Sequence, residues 1–253
     1  MVITSASNSV YKHIKALQDK KYRKKYNEYT VEGIKSVHDA LNSNRKIKQI
    51  VLSEGVEPEY AISPYIDIIT VSQGLFSKLC DTQTPQGIMA VLEIEDKKSF
   101  MPDLNKAYIY CDGINDPGNL GTIIRTADAA GFGGVLLSKG TADLYSPKTV
   151  RASMGSFFNI DIVTELDTDF LHECKNNGFE LYGGALSDNT IDYREADMKK
   201  PTILIVGNEA NGISGEVMKM CHCVKIPILG KAESLNASVA AAILMYELVS
   251  QRS

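Results

Sequence analysis

The chain has 253 residues, 44% of them hydrophobic and 23% charged, with 19 Gly, 8 Pro and no Trp. That length allows one large or two small domains with ample core, and the composition excludes a collagen-like, disordered or disulfide-scaffold protein. The net charge of −4 hides a split: residues 1–50 carry 11 Lys/Arg against 4 Asp/Glu, and residues 51–253 carry 16 against 27. A basic head on an acidic body fits either a polyanion-binding module joined to a second function or a solvated lysine-rich helix.

The chain opens without the basic-then-apolar pattern of a secretory signal, and no apolar run approaches the ~20 residues that span a bilayer. Five scattered cysteines (Cys80, Cys111, Cys174, Cys221, Cys223) argue against a disulfide framework, and a reducing, cytoplasmic location is expected. Val10, Ile14 and Leu17 recur at helical spacing among Lys12, Lys15, Lys20, Lys21, Arg23, Lys24 and Lys25. They predict one amphipathic helix over 7–26 with a basic face. A helix over 32–43, strands at 47–52 and 66–71, and a strand from Gly87 to Ile94 complete a small α/β unit. Residues 95–106 interrupt with charge and a proline, which makes them a linker between domains at 1–94 and 107–253.

From 107 onward short apolar runs alternate with helical segments. Strands are expected at Ala107–Cys111, Gly134–Leu137, Ile160–Val163, Glu180–Tyr182, Thr202–Val206 and Val224–Ile226, with helices at 118–130, 167–176, 214–220 and 235–251. This grammar predicts a parallel sheet covered on both faces, whose ligands bind at the carboxyl ends of the strands.

Three loops after those strands carry the signal. In the first, Asp112 to Arg125, Asp116 can cap a helix, Pro117 suits its first position and Gly131 can end it. Leu120, Ile124 and Ala127 share its buried stripe, and Arg125 points off it. Glycines at 113, 118 and 121 do not make a dinucleotide fingerprint, and no P-loop is present. In the second, Gly207-Asn208-Glu209 follows a buried strand; a bare Gly207 would let a ligand approach the backbone, and Glu209 puts a carboxylate at the mouth of the sheet. In the third, Ser234 is a good N-cap for the last helix. Asn236 and Ser238 are poor helix formers in its first turn, which suggests contact with something bound. Cys221-His222-Cys223 lacks a second Cys/His pair at ligand spacing, so no metal is expected.

Asn119-x-Gly121-x-x-x-Arg125, Gly207-Asn208-Glu209-x-x-Gly212 and Ile226-Pro227…Ser234-Leu235-Asn236-x-Ser238-x-Ala240 resemble, in this order, the three motifs of the SpoU (TrmH) branch of the SPOUT superfamily. Its members are S-adenosylmethionine-dependent RNA ribose 2′-O-methyltransferases. Residues 28–94, with Thr30-Val31-Glu32-Gly33 and Thr84-Pro85-Gln86-Gly87-Ile88, look like that family's N-terminal substrate-binding domain, itself similar to small RNA-binding ribosomal proteins.

The resemblance implies a SPOUT parallel sheet with a deep trefoil knot over roughly 201–253, a topology otherwise almost absent from proteins. It implies a homodimer through the C-terminal domain. S-adenosylmethionine would lie against Gly207, Ile226 and Leu235, with Ala185 and Leu186 as further candidates. Arg125 takes the activating role, with Asn119, Glu209, Ser234 and Asn236 orienting it and the ribose, and Glu209 is inferred to pair with Arg125. A guanidinium keeps its proton, so Arg125 is expected to stabilise a developing alkoxide and grip a phosphate rather than act as a simple base. RNA phosphates would meet Lys12, Lys21, Arg23, Lys24, Lys25, Arg45, Lys46 and Lys48, with Arg151 beside the catalytic end. The separate N-terminal module favours rRNA, similar to the 23S rRNA enzymes; the alternatives are the same chemistry on tRNA, or a non-catalytic RNA-binding or ribosome-assembly factor.

Overall fold

The computed structural model describes residues 2–95, 100–185 and 190–253. The chain divides into two compact units, Met1–Asp96 with Asp143–Phe158, and Lys97–Ala142 with Asn159–Ser253. Segment 143–158, placed by the sequence reading in the C-terminal domain, groups with the first unit, where the Tyr145 and Phe157 rings lie 4.9 and 5.7 Å from that of Tyr29. An aromatic cluster of this kind contributes through buried area and ring geometry, neither of which leaves a periodic mark in the sequence.

The first stretch runs β1 (Val2–Ile3), α1 (Ser9–Ala16), α2 (Lys20–Tyr26), β2 (Glu28–Glu32), α3 (Ile34–Leu41), β3 (Ile47–Ser53), β4 (Asp67–Val71), α4 (Gln73–Leu79) and β5 (Ile88–Glu93). The strands order β1-β4-β3-β5-β2, with β5 antiparallel to β2 and β3. Tyr11, Ile14 and Leu17 join Leu75, Phe76 and Leu79 of α4 over Val51, Val71, Met89 and Val91 of the sheet.

The single helix expected over 7–26 is two. Asp19 accepts from the Lys21 amide at 2.8 Å and starts α2, and the Leu17 carbonyl accepts from Arg23 Nη1 at 2.6 Å. A capping side chain inside the run satisfies the backbone differently from a continued helix. The sequence reading also missed β2 and α4. The first is buried over residues 28–31 beside β5, and the second is too short for a periodic signal.

The chain continues with β6 (Tyr108–Asp112), α5 (Pro117–Ala129), β7 (Gly134–Ser138), α6 (Pro147–Ala152, in the first unit), β8 (Asp161–Leu166), α7 (Thr168–Asn176), β9 (Glu180–Gly184) and β10 (Ile191–Asp192). It ends with β11 (Thr202–Gly207), α8 (Gly215–Met218), β12 (His222–Lys225) and α9 (Ala237–Arg252). The second unit's strands order β10-β12-β9-β11-β6-β7-β8, and every neighbouring pair is parallel. Val135, Leu136 and Leu137 are all buried, as a strand covered on both faces requires. Ile203 and Ile205 face α7 and α8 through Leu171, Cys174 and Val217, while α5 and α9 pack together and onto β6, β7, β9 and β11. The α/β architecture expected from the alternation is the one observed.

β6 is the first strand of this unit and lies between β11 and β7. The strand order reverses there, so the loops leaving β6 and β11 diverge from one point at the carboxyl edge, where open α/β sheets bind ligands.

Candidate active site

The loop leaving β6 enters α5 as the sequence indicates. The Asp116 side chain accepts from the Asn119 amide at 2.9 Å, Pro117 holds the first helical position, and Gly131 follows the last turn with φ 72°. At α9 the expected cap is displaced. Asn236, not Ser234, is the N-cap: its Oδ1 accepts from the Ser238 and Val239 amides at 2.9 and 3.3 Å and from the Ser238 hydroxyl at 2.7 Å. The helix-poor residues that suggested a bound partner are thus partly accounted for by capping.

The Asn236 amide nitrogen remains, and it donates to Asn119 Oδ1 at 2.9 Å. Asn119 Nδ2 donates in turn to Glu209 Oε1 at 2.8 Å, and Glu209 also accepts the amides of Asn115 at 3.0 Å and Asp116 at 3.2 Å. A carboxylate only accepts, so Glu209 sets the direction of both amides, and the order ends on the N-terminus of α9. Burial pushes the Glu209 carboxyl up. The hydrogen bonds from Asn119 and the two loop amides outweigh it and hold the group below the usual carboxylate range.

The structure therefore unites Glu209, Asn119 and Asn236, residues about ninety and thirty positions apart in the sequence. It does not pair Glu209 with Arg125, and this corrects the sequence reading: the carboxylate is taken by the α5 entry loop. Arg125 projects from the exposed face of α5, away from Leu120, Ile124 and Ala127, and makes no ion pair among the described residues. Ser234 is exposed two residues before the cap.

Ala185, Gly207 and Ile226 stand immediately beyond β9, at the end of β11 and beyond β12, so all three lie on the carboxyl edge, with exposed Leu235 beside the cap of α9. Leu186 lies outside the described residues. Backbone groups of residues 227–235 make no hydrogen bond among the described residues. Gly207 has a different reason from the one expected. A Cβ there would fall 2.1 Å from the Gly212 carbonyl carbon and 2.2 Å from the Ile213 nitrogen, so the missing side chain admits the chain's own 208–212 turn. Gly207→Ala is expected to cost about 1–3 kcal/mol in thermal or denaturant unfolding, because the clash is with backbone.

Two bracing residues escaped the sequence reading. Asp112 Oδ2 accepts the Ser214 amide at 2.7 Å, and Asn208 Nδ2 donates to the Gly113 carbonyl at 2.8 Å. An Asn between two loop glycines is a turn signal, but its partner across the sheet depends on the register that sets Gly207 beside Asp112.

In the first unit, Lys12, Lys21, Lys24 and Lys25 are exposed, with Lys21 and Lys25 over the rings of Tyr22 and Tyr26. Arg23 is not available to a phosphate. It is 4% exposed, bonded to the Leu17 carbonyl and paired with Asp143 at 2.5 Å. Position 23 is the buried position of α2, whose other residues are half-buried or exposed. Arg45, Lys46 and Lys48 pair with Glu95, Glu93 and Glu28 at 2.6, 2.8 and 2.6 Å, and Arg151 with Asp81 at 2.6 Å. Among the described residues no cluster of three or more His, Cys, Asp or Glu could hold a metal, and no helix is long and apolar enough to cross a membrane.

The SpoU rRNA Methylase family model matches residues 106–246, and the MRM3-like substrate binding domain matches residues 8–90. The chain is 38% identical over 247 residues to the 23S rRNA (guanosine(2553)-2′-O)-methyltransferase RlmP of Bacillus subtilis, covering 97% of this chain and 98% of that one. An AdoMet-bound rRNA methyltransferase from Sinorhizobium meliloti superposes with TM-score 0.89 at 34% identity, covering 98% and 97% of the two chains. The TrmH/SpoU tRNA modifying enzyme of A. aeolicus aligns over 58% of this chain and 75% of its own, with TM-score 0.51 and 32% identity.

Proposed function

Because the chain belongs to the SpoU rRNA methylase family, we propose that it transfers the methyl group of S-adenosylmethionine to a ribose 2′-hydroxyl of 23S rRNA. The observation that carries the reading is the directed chain Glu209–Asn119–Asn236 at the point where the strand order reverses. The rRNA-directed relatives match nearly the whole chain and the tRNA-directed one little more than half, which favours rRNA over tRNA.

The edge residues fit the cofactor: unspent backbone groups over 227–235 can bond a purine and an amino acid, and Ile226, Leu235 and Ala185 offer apolar contact beside Gly207. When bound, S-adenosylmethionine supplies a methyl group on a cationic sulfur and departs as a neutral thioether, so no general acid is required. What the chain must add is alignment and stabilisation of the ribose oxygen as its proton passes to solvent water. Arg125, exposed and without a carboxylate partner among the described residues, is assigned to that oxygen and to the adjacent phosphate. Glu209 is ionised and accepts three hydrogen bonds, so it orients Asn119 rather than receiving the ribose proton. Ser234 and Asn236 position the ribose.

The first unit binds RNA through Lys12, Lys21, Lys24 and Lys25, and its fold is of the kind shared with small ribosomal proteins. Residues 201–253 form the trefoil knot, the C-terminal unit dimerises, and the enzyme works in the cytoplasm. Reversing the charge of Lys21, Lys24 and Lys25 together is expected to weaken RNA binding at least tenfold and to flatten the log–log salt dependence by about 2. Affinity for S-adenosylmethionine should be unchanged; filter binding over a salt series and calorimetry read the two.

The deciding experiment maps 2′-O-methylated positions in rRNA and tRNA with and without this gene. Loss of one rRNA ribose methyl, restored by the wild-type protein, is the expected result. Loss of a tRNA methyl would move the substrate. No lost methyl, with no turnover on either RNA in vitro, would overturn the enzyme reading.

A further inference from the structure

The carboxylate of Glu209 is held by two amides of the 112–116 loop, so its position is only as firm as that loop. The loop begins at Gly113, in the left-handed region with φ 70°, and both backbone polar groups of that residue are held. Its N–H donates to Ser138 Oγ at 2.9 Å, at the end of β7, and its carbonyl accepts from Asn208 Nδ2 at 2.8 Å, at the end of β11. Ser138 is itself tied down: it is 8% exposed, 3.2 Å from Thr141 Oγ1, which donates to the Cys111 carbonyl at 3.1 Å. Asn208 uses its other end on its own turn, where Oδ1 accepts the Ala210 and Asn211 amides at 2.9 and 3.0 Å. One side chain thus shapes the turn that carries Glu209 and fixes the loop that receives it. The amide cannot flip without setting donor against donor in the turn and acceptor against acceptor at Gly113.

We propose that Asn208 and Ser138 are positioning residues for the transfer reaction, clamping the two peptide units that meet at Gly113 so that Asn115 and Asp116 present their amides to Glu209. The proposal rests on the methyltransferase reading above and adds two residues to it, neither of which touches the reacting atoms.

Asn208→Asp isolates the effect. It keeps size and the turn-forming oxygen and replaces only the donor at Gly113 by an acceptor, which opposes that carbonyl. Its kcat is expected to fall about tenfold to a hundredfold, as small displacements in aligned sites do, with KM for S-adenosylmethionine within about threefold. Ser138→Ala, which removes the acceptor for the Gly113 N–H, should change kcat in the same direction and Ser138→Thr should restore most of it. In a Glu209→Gln background Asn208→Asp should lose most of its effect, because what it positions is already disabled. Hydrogen exchange of the 108–120 peptide, read without any turnover, should quicken in Asn208→Asp and Ser138→Ala.

Unchanged exchange and unchanged kcat in both variants, with the wild-type protein active, would overturn the clamp. So would equal fold-losses for Asn208→Asp in the wild-type and Glu209→Gln backgrounds. An inactive wild-type protein with quickened exchange would leave the clamp standing and sink the methyltransferase reading. If Asn208→Asp does not fold, Ser138→Ala against Ser138→Thr decides.

Discussion

Arg125→Ala is expected to lower methyl transfer by about 10²–10³-fold while leaving the dissociation constant for S-adenosylmethionine within about threefold. The side chain is exposed on α5, and no carboxylate among the described residues neutralises it. On the proposed role, removing it strips a cation from the ribose oxygen; because the side chain is exposed, it leaves no buried charge behind, and the fold should melt within about 0.5 kcal/mol of wild type. Arg125→Lys keeps a point charge but not the planar fork that can meet an oxygen and a phosphate together, so it should recover only part of the loss. Single-turnover transfer on an rRNA fragment and calorimetry with the cofactor measure the two quantities. Near-normal transfer by Arg125→Ala would refute the role.

Arg23→Ala, by contrast, should cost about 3–5 kcal/mol of stability, read as a fall in melting temperature on the order of 10 °C. Its guanidinium is buried, donates to Asp143 through Nε and Nη2 and to the Leu17 carbonyl through Nη1, and alanine would strand both acceptors. Lys24→Ala on the exposed side of the same helix should stay within about 0.5 kcal/mol. RNA affinity measured on folded Arg23→Ala should remain close to wild type. An affinity loss as large as that of the lysine reversals, with an unchanged melting temperature, would return Arg23 to the RNA-binding set.

Both predictions depend on facts that differ in how readable they are from the chain. The start of α5 is local: Asp116, Pro117 and the amide of Asn119 lie within four positions, so capping chemistry alone indicates it. The alternation of apolar runs and helices is likewise local, and it indicates a parallel sheet with its chemistry on the carboxyl edge. The cap of α9 was misplaced by two residues because Ser234 and Asn236 are both good caps, and only the backbone entering the helix distinguishes them. Arg23 and Lys24 are adjacent members of one lysine-rich run. Which of them is buried depends on the break at Asp19 that sets the phase of α2, and on Asp143, 120 residues away.

By itself the sequence determined the fold class, the three loops that leave β6, β11 and β12 on the carboxyl edge and the residue types available there, because each is written in contiguous residues. Only the tertiary structure decided who bonds to whom. Glu209 takes the amides of Asn115 and Asp116 and the side chain of Asn119, not Arg125, because the register of β11 on β6 sets Gly207 beside Asp112 and brings the two loops together. The same register makes Gly207 a requirement of the chain's own turn and lets Asn208 reach Gly113. A carboxylate goes where the most donors converge, and convergence of groups some ninety residues apart is a property of the sheet, not of any segment that enters it.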